Sequence, residues 1–226
     1  MNGSPQPFVL GHRGASGHRL ENSLESFRYA MALGADGVEL DVHATRDGAL
    51  IVHHDPALSG VGSIAGLTLE EVRAGSLPNG EPIPLLEEAL AAVPGAVVWI
   101  ELKSLPPEAD SALLSTIAAA GAPERCAVHS FDHRIIARLG MKAPSLRRGV
   151  LSVSYPIDPV GTMERAGANT LWQEWHLIDA ELIAEVHRKG GQVIAWTVND
   201  RQTALELASL GVDGLCGNYP ERLRFR

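Results

Sequence analysis

Short apolar runs rich in Val, Ile and Leu alternate along this chain with longer stretches whose apolar residues return at helical spacing. The runs predict strands over Phe8–His12, Gly37–His43, Ala49–His53, Val97–Lys103, Cys126–Phe131, Arg148–Val153, Thr170–Trp175 and Gln192–Val198, with a last short one near Gly214–Gly217. The helical stretches are Ser23–Leu33, Leu67–Ala74, Leu85–Val93, Pro107–Ala120, His133–Leu139, Val160–Ala166, Ala180–Lys189 and Arg201–Leu210. Six of them run into a glycine, at Gly34, Gly121, Gly140, Gly167, Gly190 and Gly211. Glycine takes the left-handed conformation that ends a helix at little cost. The segment Asp179–Gly190 adds an N-cap candidate, an early acid and late bases. Strand, helix, glycine and strand in this order predict βαβ units and a parallel sheet.

About eight such units fit the chain, with Ala49–His53 as a hairpin extra to the second strand. That leaves roughly 28 residues per unit, which suits a compact (β/α)8 TIM barrel. An open doubly wound sheet is the rival, but no GxGxxG follows the first strand. The expectation is one domain over 1–226, interrupted by an irregular insertion at about 56–84 that is rich in Gly, Ser and Pro. It reads as a long loop with one short helix, and loops of that length in compact domains are often functional.

Composition narrows the class. Of 226 residues, 45% are hydrophobic and 20% charged, a globular balance. The net charge of −8 argues against a nucleic-acid face, which needs clustered Lys and Arg. Cys126 and Cys216 are too few for a disulfide framework and lack metal-ligand spacing. The start, MNGSPQPFVL, has no basic region followed by an apolar one, so no signal peptide is expected. No apolar run approaches the roughly 20 residues of a membrane helix. A soluble cytoplasmic protein without stable membrane insertion is the expectation.

Two strands carry charge where a barrel strand should be apolar. In Gly37–His43, Glu39 and Asp41 are two apart and share a face, while Val38, Leu40 and Val42 face the helices. In Val97–Lys103, Glu101 and Lys103 share one face, and Ile100 and Leu102 take the other. Burying an unpaired carboxylate costs several kcal/mol. Three converging carboxylates need positive charge. Lys103 supplies one unit, and a hard divalent cation with oxygen ligands would supply two. A salt-bridge network inside the barrel is the alternative, and three carboxylates on two strands favour the metal.

His12 ends the first strand, and His53-His54-Asp55 ends the hairpin. Histidine serves as general acid or base near neutral pH. A lone strand-end histidine is more often a plain polar residue. These, with Glu39, Asp41, Glu101 and Lys103, sit at carboxyl ends of strands, where barrel enzymes keep their active sites. Arg13 beside His12 adds a bidentate donor suited to phosphate. Two imidazoles, Arg13, Lys103 and a hard metal make a set suited to phosphate esters. One histidine would take the nucleophile's proton and the other would give one to the leaving group.

The motifs His12-Arg-Gly14, Glu21-Asn22-Ser23, Glu39-Leu-Asp41, His54-Asp55 and Glu101-Leu-Lys103 occur in the order found in glycerophosphodiester phosphodiesterases. Ser130-Phe131, Ala195-Trp-Thr-Val-Asn199 and Asp213-Gly214 extend the resemblance over essentially the whole chain. The resemblance implies a TIM-type barrel and one divalent metal, Mg²⁺ or Ca²⁺, with Mn²⁺ as a third candidate. It implies hydrolysis of a small-molecule glycerophosphodiester to glycerol 3-phosphate and an alcohol. Carried over residue by residue, Glu39, Asp41 and Glu101 resemble the metal ligands, His12 and His54 the acid–base pair, and Arg13 and Lys103 the phosphate contacts. Glu21 and Asn22 belong to the matched motif. His54 precedes the Asp as the family's histidine does, which leaves His53 as filler. The chain departs from the family after His54-Asp55, where Leu58–Ser63 replaces an Arg-Thr-Thr-like stretch, and at Ser23, where the family has Thr. These departures bear on substrate choice more than on chemistry. Trp172, Gln173, Glu174 and Trp175 end another strand, where they could hold a head group or simply pack. Phe131 and Trp196 could form an apolar wall or belong to the core.

Two other functions share the barrel. A phosphoinositide-type phospholipase C, or a lysophospholipase D-like activity, would use the same two-histidine logic. The acidic charge and the lack of an amphipathic membrane helix count against work at an anionic surface. A catalytically inactive phosphate-binding barrel would have lost a histidine or carboxylate, and none is lost.

Overall fold

The computed structural model describes residues 6–225, so the beginning of the segment read for a signal peptide lies outside the described residues. The chain opens with β1 (Phe8–His12), α1 (Leu24–Ala32), β2 (Gly37–Ala44) and β3 (Leu50–Val52). The insertion holds β4 (Ala57–Leu58), β5 (Gly62–Ser63) and α2 (Leu69–Arg73), and leads into α3 (Leu86–Ala92). Regular βα units follow: β6 (Val97–Ser104) with α4 (Asp110–Ala118), β7 (Cys126–Ser130) with α5 (His133–Lys142), and β8 (Arg147–Ser152) with α6 (Pro159–Ala166). The last are β9 (Thr170–Glu174) with α7 (Ala180–Arg188), β10 (Gln192–Trp196) with α8 (Arg201–Leu210), and β11 (Gly214–Gly217) with α9 (Pro220–Leu223).

The strand order β1-β11-β10-β9-β8-β7-β6-β2 closes through a β1–β2 pairing, and these eight strands run parallel. β3 is antiparallel to β2, the hairpin expected from Ala49–His53. The closed barrel excludes the open doubly wound sheet.

The alternation along the strands builds two cores. Val38, Leu40, Val42, Val98, Ile100 and Val128 face outward and pack under the helices. Leu10, Trp99, Ala127, Leu151, Trp172, Ile194 and Cys216 fill the barrel interior. Trp172 is therefore a core residue, packed edge-on to Trp99 with ring centres 5.2 Å apart. Helix starts follow the sequence signals. Asp179 accepts a hydrogen bond from the Leu182 amide at 2.8 Å, and Gly167 and Gly211 close α6 and α8 in the left-handed conformation.

Four local readings need correction. Gly140 lies inside α5, which runs on to Lys142, and does not end that helix. The strand ends fall short of the apolar runs: Phe131, Val153 and Val198 lie in loops and Trp175 opens a 3-10 turn, because the barrel ladder stops one or two residues earlier. Pro107–Ala109 forms a 3-10 turn before α4, with Pro107 at its first position, where no backbone amide is needed. The insertion is more ordered than a long loop. Ile51, Leu58, Ile64, Val72, Leu77 and Ile83 form a third apolar core beneath it. Among the described residues no helix is long and apolar enough to cross a membrane.

Candidate active site

Glu39 and Asp41 leave β2 and Glu101 leaves β6 into the barrel, at its carboxyl end. Register sets Asp41 beside Glu101 and His12 beside Glu39. All three carboxylates are buried, with donor oxygens within 4.8 Å of one another. The β2–β6 register slips just after Val42 and Leu102, so Lys103 is left out of the Cα pairing. Such bulges re-aim a side chain. The Lys103 ammonium lies 2.8 Å from Glu101 Oε1 and 3.1 Å from Asp41 Oδ1.

The loop after β1 closes over this group. Gly14 has φ +81°, and a Cβ there would meet Ser26 Oγ at 2.4 Å, so the turn requires glycine. Arg13 (φ 55°) and Asn22 (φ 56°) are also left-handed, a conformation that asparagine tolerates and that is costly for arginine. That turn lets the Arg13 amide donate to Glu39 Oε2 at 3.1 Å. Its guanidinium donates to Glu21 Oε2 at 2.8 Å and lies 3.1 Å from Asp41 Oδ2. The Asn22 side-chain amide donates to Asp41 Oδ2 at 2.7 Å.

The electrostatics are lopsided. Burial, then repulsion from Asp41, raises the Glu39 pKa from 4.5 to about 7. Burial, then Glu39 and Asp41, raises Glu101 to about 8. Burial would raise Asp41 too, but Lys103 and Arg13 outweigh it and hold the group low. Three buried carboxylates thus face two cations, one of them shared with Glu21. Two cations cannot balance three ionised carboxylates, so without an ion Glu39 and Glu101 tend to keep their protons. The donor set, all oxygen and in excess of cations, fits a hard divalent ion.

The two histidines sit in similar settings. His12 Nδ1 lies 2.8 Å from Asn218 Oδ1, at the end of β11. His54 Nδ1 lies 2.8 Å from Asp55 Oδ1. Carbonyl and carboxylate oxygens only accept, so each Nδ1 carries a proton and each Nε2 is the ring nitrogen left for the site. The Asn218 backbone N–H donates to Asn199 Oδ1 at 2.8 Å, which ties in the loop after β10. His53 Nδ1 meets only the Asp55 backbone carbonyl, at 3.0 Å.

The structure therefore joins Arg13, Glu21, Asn22, Glu39, Asp41, Glu101 and Lys103 in one network. Phe131, 45% exposed, stacks edge-on to Trp196 with ring centres 5.6 Å apart at the same end of the barrel. Glu174 stays apart from the network: it bonds His176 Nδ1 at 2.6 Å. Asn218, His43 and His129 were missed in the sequence. His43 follows Glu39 and Asp41 at the same two-residue step, a signal that could have found it. His129 is 1% exposed, flanked by Trp99 and Trp172, with Nε2 3.8 Å from Glu39 Oε1. Burial drives its pKa from 6.5 to about 3, so it is neutral.

Residues 12–222 match the Glycerophosphoryl diester phosphodiesterase family. A glycerophosphodiester phosphodiesterase of Caldanaerobacter subterraneus subsp. tengcongensis is 33% identical over 96% of both chains. Among solved structures, a putative glycerophosphoryl diester phosphodiesterase from Silicibacter pomeroyi superposes with a TM-score of 0.86 at 29% identity, covering 98% of this chain and 93% of that one. An Oleispira antarctica phosphodiesterase, solved with the product sn-glycerol-3-phosphate, has a TM-score of 0.82 at 27% identity over 96% and 95% of the two chains. With the family match spanning nearly the whole barrel and the motif residues gathered at its carboxyl end, the chain belongs to the glycerophosphoryl diester phosphodiesterase family.

Proposed function

We propose that this protein hydrolyses glycerophosphodiesters to glycerol 3-phosphate and an alcohol, with metal-dependent general acid–base catalysis by His12 and His54. The convergence of Glu39, Asp41 and Glu101 between two cations and beside His12 carries the reading. The product bound by the Oleispira antarctica relative supports the substrate class. Glu39, Asp41 and Glu101 would hold one hard divalent ion, Mg²⁺ or Ca²⁺ with Mn²⁺ as a third candidate. Such an ion, when bound, screens the phosphate charge and polarises a phosphoryl oxygen.

Arg13 and Lys103 stand where they can meet non-bridging phosphate oxygens. Glu21 and Asp41 aim the guanidinium, so its fork is set before substrate arrives. Asn22 holds Asp41. Asn218 and Asp55 keep the proton on Nδ1 of His12 and His54, which turns Nε2 to the substrate. Water adds to phosphorus, directly or after the glycerol 2-hydroxyl has formed a cyclic phosphate, and the bond to the alcohol oxygen breaks. One imidazole takes the nucleophile's proton, and the other, protonated, gives its proton to the departing oxygen. Phe131 and Trp196 offer the glycerol backbone an apolar wall.

The test is product analysis on a panel of glycerophosphodiesters after EDTA treatment, with Mg²⁺, Ca²⁺ and Mn²⁺ added back in turn. Glycerol 3-phosphate should form only with an ion restored. Full turnover by the stripped protein would overturn the metal-dependent reading.

A further inference from the structure

His43 is 4% exposed, sits two residues beyond Asp41 on β2, and has a partner at both ring nitrogens. Its Nε2 lies 3.1 Å from the backbone carbonyl oxygen of His54. Its Nδ1 lies 3.5 Å from Ser104 Oγ, on the residue that β6 places opposite it after the register slip. A carbonyl oxygen only accepts, so Nε2 carries the proton, Nδ1 accepts, and the Ser104 hydroxyl donates.

His54 lies just beyond β3, where no ladder holds it. Two bonds fix this stretch to β2 instead. The His53 amide donates to the Asp41 carbonyl at 3.1 Å, and the His43 ring donates to the His54 carbonyl. The strand that carries two of the three clustered carboxylates therefore also grips the backbone on both sides of the His53–His54 peptide. A space-filling role at a buried position would be served by any apolar side chain at lower desolvation cost. An imidazole bonded at both nitrogens is suited instead to holding one partner in one place.

We propose that His43 is a positioning residue for His54, holding the His54 backbone at a fixed distance from the carboxylate cluster through its Nε2–H. The inference rests on the acid–base role given to His54. Misplacing a catalytic group by about 1 Å can cost up to a hundredfold in rate. Loss of the donor should therefore lower turnover with little change in substrate binding or in the ion site.

The experiment compares His43→Gln, which keeps an amide donor, with His43→Met, which fills similar space without one, using His54→Ala as the reference. Turnover of glycerophosphocholine and calorimetric Mg²⁺ affinity are measured on each. His43→Met should lose roughly ten- to hundredfold in kcat, with KM and Mg²⁺ affinity within about twofold of the parent. His43→Gln should recover most of the loss. Hydrogen exchange at the amides of residues 53–55 should rise in His43→Met alone. Equal kcat in His43→Met and the parent, while His54→Ala is inactive, overturns the proposal. So does a loss in His43→Met matched by weaker Mg²⁺ binding, which would place its effect on Asp41. If His54→Ala itself stays active, the reading of His54 fails and this inference with it. Should His43→Met not fold, His43→Gln decides: near-parent kcat supports the role, and a loss as large as that of His54→Ala overturns it.

Discussion

His53 and His54 are neighbours, yet their surroundings separate them. His54 is tied to a carboxylate through its side chain and to β2 through its backbone. The His53 ring meets only a loop carbonyl. His12→Ala and His54→Ala should each lose about 10²–10⁴ in kcat with the fold intact, whereas His53→Ala should stay near the parent. Circular dichroism and steady-state kinetics on the three variants check this, and an inactive His53→Ala beside an active His54→Ala would reverse the assignment. Arg13 gives a second contrast. Its guanidinium reaches Glu21 and Asp41 at once, so Arg13→Lys should lose turnover although the charge is kept. Parent kinetics in Arg13→Lys would make the residue structural. The acidic cluster was legible because charge at a two-residue step inside an apolar strand puts carboxylates on one buried face, where ionised they need compensating positive charge. Asn218 was not, because an asparagine after a strand is ordinary loop chemistry until the fold brings it against His12, 206 positions away in sequence.

At the scale of elements, glycine stops and β-branched runs made the barrel units legible, and the parallel closure followed from their number. α9 was not, because four residues opening on Pro220 carry no helical period. The insertion's order was hidden for a related reason. Ile64, Val72, Leu77 and Ile83 sit at irregular spacing, and only the bend of the chain makes them one core. Ile64 is fully buried there, so Ile64→Ala should cost about 2–5 kcal/mol locally. Limited proteolysis should then cut within 56–84 before the barrel unfolds. Cleavage no faster than in the parent would show that the small core is not what orders the segment.

For the whole molecule, the carboxylate cluster links folding to pH. Glu39 and Glu101 are raised from 4.5 to about 7 and about 8, first by burial, then by repulsion from Asp41 on Glu39 and from Glu39 and Asp41 on Glu101. Between about pH 4.5 and pH 8 the folded protein therefore holds protons on these groups that the unfolded chain has released. Stability falls with rising pH wherever the native state binds more protons. The metal-free protein should lose thermal stability steadily from about pH 5 to about pH 8. Asp41 works the other way, since Lys103 and Arg13 hold it low despite burial. Its contribution is present above its unfolded value and is lost only in stronger acid. A divalent ion binds the ionised carboxylates, so Mg²⁺ should raise the melting temperature most at about pH 8 and release protons on binding near neutral pH. Glu101→Gln cannot ionise. It should flatten the pH dependence of the metal-free protein and weaken Mg²⁺ binding together. Melting curves at half-unit pH steps, with EDTA and with Mg²⁺, test the coupling. A melting temperature of the stripped protein that stays flat or rises between about pH 5 and about pH 8 would mean that Glu39 and Glu101 are not held against their charge as their burial requires.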